Sequence, residues 1–518
     1  MSQLLAGFRE GFPLKFHDEF IPQEPENLPS ARDLPHVVSQ KLQEEVSQGR
    51  MSGGHPKLPF PAKVSPLGLV PKSTPGQFRL ITHLSYPAET SVNHGFLPQD
   101  CSVKYESFDR AAEIVSQIGQ GAWCAKTDVK DAFRIIPVHP SDFPLLVTKH
   151  LGQYYVDKCL PFGLSRSCQI FETFSSTLQW IIQKLCPFGL VCHYLDDFFF
   201  VAKTPELCQQ MLQTFQELCA NIGVPLSGDK TVGPTQNLQY LGLTIDTQAM
   251  TVTIPQDKIA KAQALIHPLT TVRKTKVAPL QSLVGLLNFM CRAIPSGRPF
   301  LRRLYDVIGS LPRYYHVSLS SPIHQDLLMW QSFLTANVGS TLIPNQRFWS
   351  SADLHLATDA SATLGFGLVF GNHWAAAPWP QDFLATNPSI EFLELFPIVL
   401  AVVQFATHLA NTKVRFSCDN QAVVAIINRQ TSRSPQIMLL VRILVLTSLT
   451  YNILFRATFI PGLQNVLPDA LSRLQITRFW QHAPATMDRH PTNLTSRLWP
   501  ISEQKLTNYC QDLYLSLL

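Results

Sequence analysis

From Pro59 to Asp246 the chain alternates two textures. Short runs dense in β-branched and aromatic residues ("FRLITHL", "GAWCAKTDV", "GQYYVDKCL", "NLQYLGLTID") predict strands. Between them lie longer segments with apolar residues three and four apart ("FDRAAEIVSQI", "RSCQIFETFSSTLQWIIQKL", "PELCQQMLQTFQELCANIG"), which predict amphipathic helices. Together they predict a mixed α+β fold. From Pro255 to about Leu334 the pattern turns helical, with Leu280, Leu283, Val284, Leu287, Met290 and Cys291 on one stripe. Strand and turn texture resumes at "FWSSADLHLATDASATLGFGLVF" and marks a second α/β unit. The apolar tract from Met438 to Phe455 is interrupted by Arg442, Thr447, Ser448, Thr450 and Asn452. It predicts a buried helix followed by a strand rather than a membrane span. The ends are polar and Pro-rich, with helices expected at Pro35–Ser47 and, weakly, at the C-terminus. Domains usually run to about 100–200 residues, so a chain of 518 should hold three or four units. The pattern divides it into a lead-in (1–58), a first α+β unit (59–250), a helical unit (251–347), a second α/β unit (348–480) and a tail (481–518).

In "HYLDDFFFVA", His193 to Ala202, the adjacent carboxylates Asp196 and Asp197 interrupt an apolar run. Unpaired buried carboxylates are costly, so the pair must be neutralised or turned outward, and a cationic partner is expected. Leu190–Leu195 and Phe198–Ala202 predict two strands joined at the pair, a hairpin with the carboxylates at its tip. Taken alone, the stretch is equally an Asp-rich turn linking two core strands. Upstream, "CAKTDVKDAFRIIPV" ends another strand on an acid, Asp128, with Asp131 three residues on. Two metal ions about 3.5–4 Å apart can activate a 3′-hydroxyl and stabilise a departing pyrophosphate, but they need clustered carboxylates from separate strands. Asp128, Asp196 and Asp197 would supply them. Between the acidic stretches lies "CLPFGLSRSCQIFETF", where Phe162 and Gly163 sit in a turn that opens a helix, a backbone surface suited to a nucleotide or template.

With 45% hydrophobic and 15% charged residues the chain can bury sizeable cores. Its net charge of +5 is unevenly placed: Thr271–Tyr315 holds eight basic residues (Arg273, Lys274, Lys276, Arg292, Arg298, Arg302, Arg303, Arg313) against one acid, Asp306. A polyanion fits that segment, and so does a solvated basic face; on the first reading Arg302 and Arg303 contact phosphates. The eleven cysteines show neither C-x-x-C nor metal-ligand spacing with histidine, and no signal-peptide pattern opens the chain. The expectation is an intracellular protein, of cytoplasm or nucleus, with reduced thiols and no membrane partner.

The ordered blocks "TDVKDAF", "LPFGLSRSCQIF", "HYLDD", "GDK" and "YLGLTID" resemble the palm of a retroelement reverse transcriptase, over roughly Pro59 to Asp246. "FRLITHLSYPAETSVNHG", "LQSLVGLLNFMCRAIPSGRPFLRRL" and "CDNQAVVAIINRQTSRSP" resemble the polymerase of DIRS-type retrotransposons, which integrate with a tyrosine recombinase; gypsy-like elements are the nearest alternative. The resemblance implies a right-hand polymerase, with fingers and palm in 59–250 and a helical thumb or connection in 251–347. It implies that Asp128 and Asp196 hold two Mg²⁺, or Mn²⁺, with Asp197 beside them. Lys72 and Arg79 in "VPKSTPGQFRL" would contact the incoming triphosphate, Lys230 would protonate pyrophosphate, and Asp131, Phe162 and Gly163 would line the nucleotide site. At Phe133 an aromatic ring under the sugar would clash with a ribose 2′-hydroxyl and so favour deoxynucleotides; the alternative is plain core packing.

In the second α/β unit four acids stand at strand or helix starts: Asp359 in "LATDASATLGFG", Glu394 in "IEFLELFPIVLAV", Asp419 in "VRFSCDNQAVVAII" and Asp469 in "GLQNVLPDALSR". Each alone is more often a cap or a surface charge. In this order they resemble the active site of ribonuclease H, in which two Mg²⁺ direct water onto phosphorus. Glu391 rivals Glu394, one helical turn away, but "LEL" is the matching block and Glu391 suits the helix start. Ten residues before the last acid many ribonucleases H carry a histidine; this chain has Phe459, while Asn465 is retained. The implied activity is that of an RNA-directed DNA polymerase with ribonuclease H, acting on an RNA template, a DNA primer, dNTPs and the RNA–DNA hybrid. The competing readings are a decayed or domesticated nucleic-acid-binding remnant, against which all seven acids argue, and an RNA-templated RNA polymerase, against which Phe133 and the second unit argue.

Overall fold

The computed structural model describes residues 2–71, 76–335, 340–342, 349–350, 354, 356–462 and 465–517. They fall into two compact units, Met1–Leu241 with Ile245–Met250 and Gly242–Thr244 with Thr251–Leu518.

In the first unit Pro35–Ser47 is a helix (α1), started by a proline whose fixed φ suits the first turn. Strands Trp123–Asp128 (β1), Gly189–Tyr194 (β2), Asp197–Ala202 (β3) and Val232–Thr235 (β4) form an antiparallel sheet in the order β2-β3-β1-β4. Helices Ser167–Leu185 (α2) and Pro205–Asn221 (α3) cover it through Phe171, Phe174 and Leu178 on one and Met211, Leu212 and Phe215 on the other. Thr204 caps α3 by accepting the Leu207 N–H, with Pro205 in the first turn. The run Phe198–Phe200 is wholly buried because both faces of β3 are covered. Phe198 and Phe200 meet Phe215 with ring centroids at 4.5 and 5.3 Å, and Phe199 on the opposite face stacks on Tyr240 at 4.7 Å. Each such ring contributes about 1.5–3 kcal/mol, which is ample to hold a hairpin whose turn carries charge.

Residues 1–58, expected as a lead-in, are core-forming. Leu4, Phe12 and Leu14 join the sheet's hydrophobic core, while Ala31, Val38 and Leu42 pack with Met51, Leu67 and Leu69. The four-residue step from Val38 to Leu42 gives α1 an apolar side that its many polar neighbours mask.

In the second unit the helical stripe is Val277–Met290 (α4), with Leu280, Leu283, Val284, Leu287 and Met290 buried as expected. Arg302–Ile308 (α5) and Ser321–Thr335 (α6) follow. Strands Leu356–Ala360 (β5), Gly365–Phe370 (β6) and His373–Pro378 (β7) form an antiparallel meander. Helix Ile390–Gln404 (α7), strand Lys413–Cys418 (β8), helices Gln421–Arg429 (α8) and Pro435–Thr450 (α9), and strand Leu454–Phe459 (β9) come next, with β8 and β9 parallel. The Met438–Phe455 tract is thus a buried helix and a strand, and among the described residues no helix is long and apolar enough to cross a membrane. Helix Val466–Ser472 (α10) packs so closely on β6 that a Cβ on Gly367 would lie 2.4 Å from the Leu471 Cβ and 2.7 Å from the Pro468 carbonyl oxygen. The tail ends in Glu503–Leu517 (α11), which buries Leu506, Tyr509, Cys510, Leu513 and Tyr514.

Asp326 on α6 is fully buried, and three elements satisfy it: Arg303 of α5 at 2.9 Å, Arg442 of α9 at 3.4 Å and the Tyr514 hydroxyl of α11 at 2.8 Å. This corrects the expected phosphate role of Arg303, whose guanidinium neutralises a buried carboxylate instead. Arg302 is paired with Asp306 one turn along the same helix.

Candidate functional site

The first site is built on the β2–β3 hairpin. Tyr194 and Asp197 are Cα partners across it, leaving Leu195 and Asp196 as a two-residue turn with Leu195 at φ 53. The register places Asp197 opposite Asp128, the last residue of β1. Asp196 leaves the ladder but not the neighbourhood, because its carbonyl accepts the Val129 N–H at 3.0 Å. The three carboxylates therefore converge where two strands end, half-buried at Asp196 and Asp197 and buried at Asp128. Burial holds the Asp196 carboxyl above the usual range, with Asp128 adding to it. Burial and the neighbouring Asp196 and Asp128 push Asp197 up to about 6. Lys230 is the expected cation: its Nζ lies 3.1 and 3.2 Å from the two Asp128 oxygens, and Ser227 donates to the same carboxylate at 2.8 Å. Burial first, and the neighbouring negative charge second, hold Asp196 and Asp197 above the usual range, and a divalent cation would relieve both.

Around this cluster, Asp131 adopts a left-handed conformation (φ 58) and is ion-paired with Arg50 at 2.9 Å. The Phe133 ring is half-buried, edge-on to Phe162 and Phe171 with centroids at 5.4 Å in both cases. Phe162 is exposed, and Gly163, at φ 89, occupies backbone space that favours glycine; its carbonyl accepts from Asn93 at 2.8 Å. Arg79 is exposed on the strand Phe78–Thr82, opposite Val70. Lys72 lies outside the described residues.

The second site joins four elements of the second unit. Asp359 lies on β5, Glu394 in the second turn of α7, and Asp419 immediately after β8, where Asn420 caps α8 by accepting from Ala422 and Val423. Among the described residues these three acids form a set whose ligand oxygens all lie within 4.8 Å of one another, and Glu391 is not in it. Burial with the Asp359 and Asp419 charges pushes Glu394 up to about 8, and burial chiefly raises Asp359 to about 6. Three crowded acids, two of them held up in this way, are a donor set that a divalent cation would fit. Asp469, on α10, stands outside the set: Arg473 and Arg478 each donate to it at 2.7 Å and hold its carboxyl below the usual range despite burial. Phe459 ends β9 half-exposed.

Asn465, singled out in the sequence, donates to the Thr358 carbonyl at 2.8 Å. Sequence reasoning missed other supports of these sites: Ser472 donates to Asp359 at 2.6 Å, and Gly462 leaves room for Asp419, whose Oδ2 lies 2.8 Å from where a Cβ would be. Ser227 and Arg50 were missed as well. "SGDK" carried a signal for Ser227, three residues before Lys230; nothing local signals Ser472 or Arg50.

Residues 70–245 match the family model described as reverse transcriptase (RNA-dependent DNA polymerase). The Gag-Pro-Pol polyprotein of Human T-cell leukemia virus 3 is 26% identical over 226 residues, covering 42% of this chain and 15% of the polyprotein. Protein P of a chimpanzee hepatitis B virus is 26% identical over 214 residues, 41% of this chain and 24% of that protein. The matches thus span a quarter or less of those relatives. A foamy viral protease-reverse transcriptase solved in complex with dsDNA superposes with a TM-score of 0.52 at 15% identity, covering 86% of this chain and 87% of that one. Its complex with an RNA/DNA hybrid gives a TM-score of 0.51 at 15% identity over 96% of this chain and 63% of that one. At such identity the likeness is one of fold, a polymerase followed by a ribonuclease H-like domain. Residues 70–245 are accordingly a reverse transcriptase domain of the retroelement and retroviral kind.

Proposed function

We propose that the chain is an RNA-directed DNA polymerase with ribonuclease H activity, of the DIRS type among retroelements, using two Mg²⁺ per site. The observation that carries this reading is the strand register that sets Asp128 against Asp197, with Asp196 in the adjoining turn, inside a reverse transcriptase domain. The DIRS assignment is supported by the three sequence blocks named above, and the ribonuclease by the Asp359, Glu394 and Asp419 cluster.

In the polymerase site Asp128, Asp196 and Asp197 would hold the metals, which supply charge neutralisation for the 3′-oxygen and the pyrophosphate when bound. Lys230, raised above its ordinary range by Asp128, would carry the proton given to departing pyrophosphate. Phe133, packed edge-on to Phe162 and Phe171, would close the space a 2′-hydroxyl needs. In the second site Asp359, Glu394 and Asp419 would hold metals, while Ser472 and Asn465 keep Asp359 oriented.

The test is one RNA–DNA hybrid with an extendable primer, DNA extension and RNA cleavage being followed together in Mg²⁺. Asp196→Asn should lower extension by about two orders of magnitude or more and leave cleavage nearly intact; Asp419→Asn should do the reverse. A wild-type chain that binds the hybrid and does neither reaction is a non-catalytic remnant.

A further inference from the structure

The segment expected to bind nucleotide, Asp131 to Phe133, is tied to two residues that precede the reverse transcriptase match, Glu45 and Arg50. Arg50 follows α1 and forks onto Glu45 at 2.7 and 2.9 Å, while its remaining nitrogen reaches the Asp131 carboxylate at 2.9 Å. Its own backbone is tied down on both sides, to the Glu45 carbonyl at 3.1 Å and to the Lys158 N–H at 2.9 Å. Glu45 also accepts from Arg134 at 2.8 Å, and Arg134, buried, reaches Asp157 at 2.8 Å. Asp131 and Arg134 thus bracket Phe133, and both ends of the bracket run back to Glu45. The Arg134 N–H closes the turn onto the Asp131 carbonyl at 2.7 Å.

The electrostatics give the arrangement a consequence. Asp131 is 43% exposed in its side chain and lies three residues beyond Asp128, where a bare carboxylate would repel a triphosphate. Arg50 is pre-oriented by its bidentate fork with Glu45, so it offsets much of the Asp131 charge at little entropic cost, although it is shared between the two carboxylates. We propose that Arg50 is a positioning residue for nucleotide binding: it neutralises and holds Asp131 so that the turn under the incoming dNTP presents backbone and ring rather than negative charge. This rests on the polymerase reading above.

The experiment measures affinity, so that it does not depend on turnover. Full-length protein is bound to an RNA template with a dideoxy-terminated DNA primer, and the Kd of the next correct dNTP is measured in Mg²⁺ by equilibrium dialysis. Arg50→Ala should weaken dNTP binding about tenfold, with hybrid affinity within about threefold of wild type, as for loss of a charge-assisted pair. Combining Arg50→Ala with Asp131→Asn should recover most of that loss, since no carboxylate remains to be neutralised; a merely structural Arg50 would show no such recovery. Arg50→Lys, which keeps the charge and loses the fork, should weaken binding by a smaller factor and serves if Arg50→Ala does not fold. Unchanged dNTP affinity in both single variants, or no recovery in the double variant, overturns the proposal, as does a wild type that binds no dNTP. A wild type that binds dNTP but extends no primer defeats the polymerase activity alone.

Discussion

At the scale of single residues, charge and shape make separable demands. Phe133 packs edge-on against exposed Phe162 and buried Phe171, and on the polymerase reading its ring would meet the sugar of an incoming nucleotide. Phe133→Val should therefore admit ribonucleotides, reducing dNTP over rNTP selectivity by about tenfold or more. Single-nucleotide insertion kinetics with both sugars check this, and equal selectivity in both proteins would make the ring a packing element only. Glu394 makes a different demand. Its folded pKa lies near 8 against an ordinary 4.5, so the folded state binds the proton more tightly than the unfolded one. The stability this contributes is complete below the ordinary value and is lost as pH rises through the folded one. In chelator the melting temperature should fall between about pH 5 and pH 8, and Mg²⁺ should restore more of it at pH 8 than at pH 5. Calorimetry with and without EDTA decides; a melting temperature that climbs over this range in chelator would mean that Glu394 is charged without a metal.

Elements place those residues through a few tight contacts. Gly367 on β6 sits across the register from Asp359 and directly under α10, which carries Ser472 and Asp469. An added methyl meets backbone rather than a flexible side-chain end, so Gly367→Ala should cost about 1–3 kcal/mol and push Ser472 away from Asp359. RNA cleavage should fall further than DNA extension, and denaturant melts with both assays on one sample test it. The β2–β3 hairpin shows the same logic from the sequence side. The hairpin and its acidic tip were legible in "HYLDDFFFVA", but the turn was not: it was expected at Asp196–Asp197 and falls one residue earlier, at Leu195–Asp196, with Asp197 already in β3, because burial on both faces of β3 leaves no alternation to fix the register. The half-burial of Asp196 and Asp197 was not legible, since it depends on β1 and Lys230 arriving from elsewhere.

Across the whole molecule, the basic segment Thr271–Tyr315 spends Arg302 and Arg303 on internal ion pairs, a use that composition cannot separate from phosphate binding. Arg303→Ala removes a partner of a fully buried carboxylate and should destabilise the second unit by about 3 kcal/mol without changing the salt dependence of hybrid binding. Neutralising the exposed Lys276 and Arg313 should leave stability intact and flatten that dependence by about one unit of slope per lost phosphate contact. Hybrid affinity at several salt concentrations, paired with thermal melts, distinguishes the two, and an altered slope for Arg303→Ala would return that arginine to the nucleic acid.

The sequence by itself determined what depends on periodicity and on the cost of burying charge: the principal strands and helices of both units, the buried rather than membrane-spanning Met438–Phe455 tract, and the hairpin with its paired acids; the four acids of the second unit stood out only through their resemblance to ribonuclease H. These are local quantities, visible within one turn or one strand. Tertiary structure alone decided partnerships between residues far apart in the chain. It drew Asp359, Glu394 and Asp419 together and left Asp469 outside, held by its chain neighbours Arg473 and Arg478. It also put Asp326 between Arg303, Arg442 and Tyr514, and carried Arg50 from an unpromising Pro-rich beginning to Asp131. A charged side chain gives no sign in sequence of which opposite charge it will meet, because the energy of that meeting depends on distance and burial, and neither exists until the chain has packed.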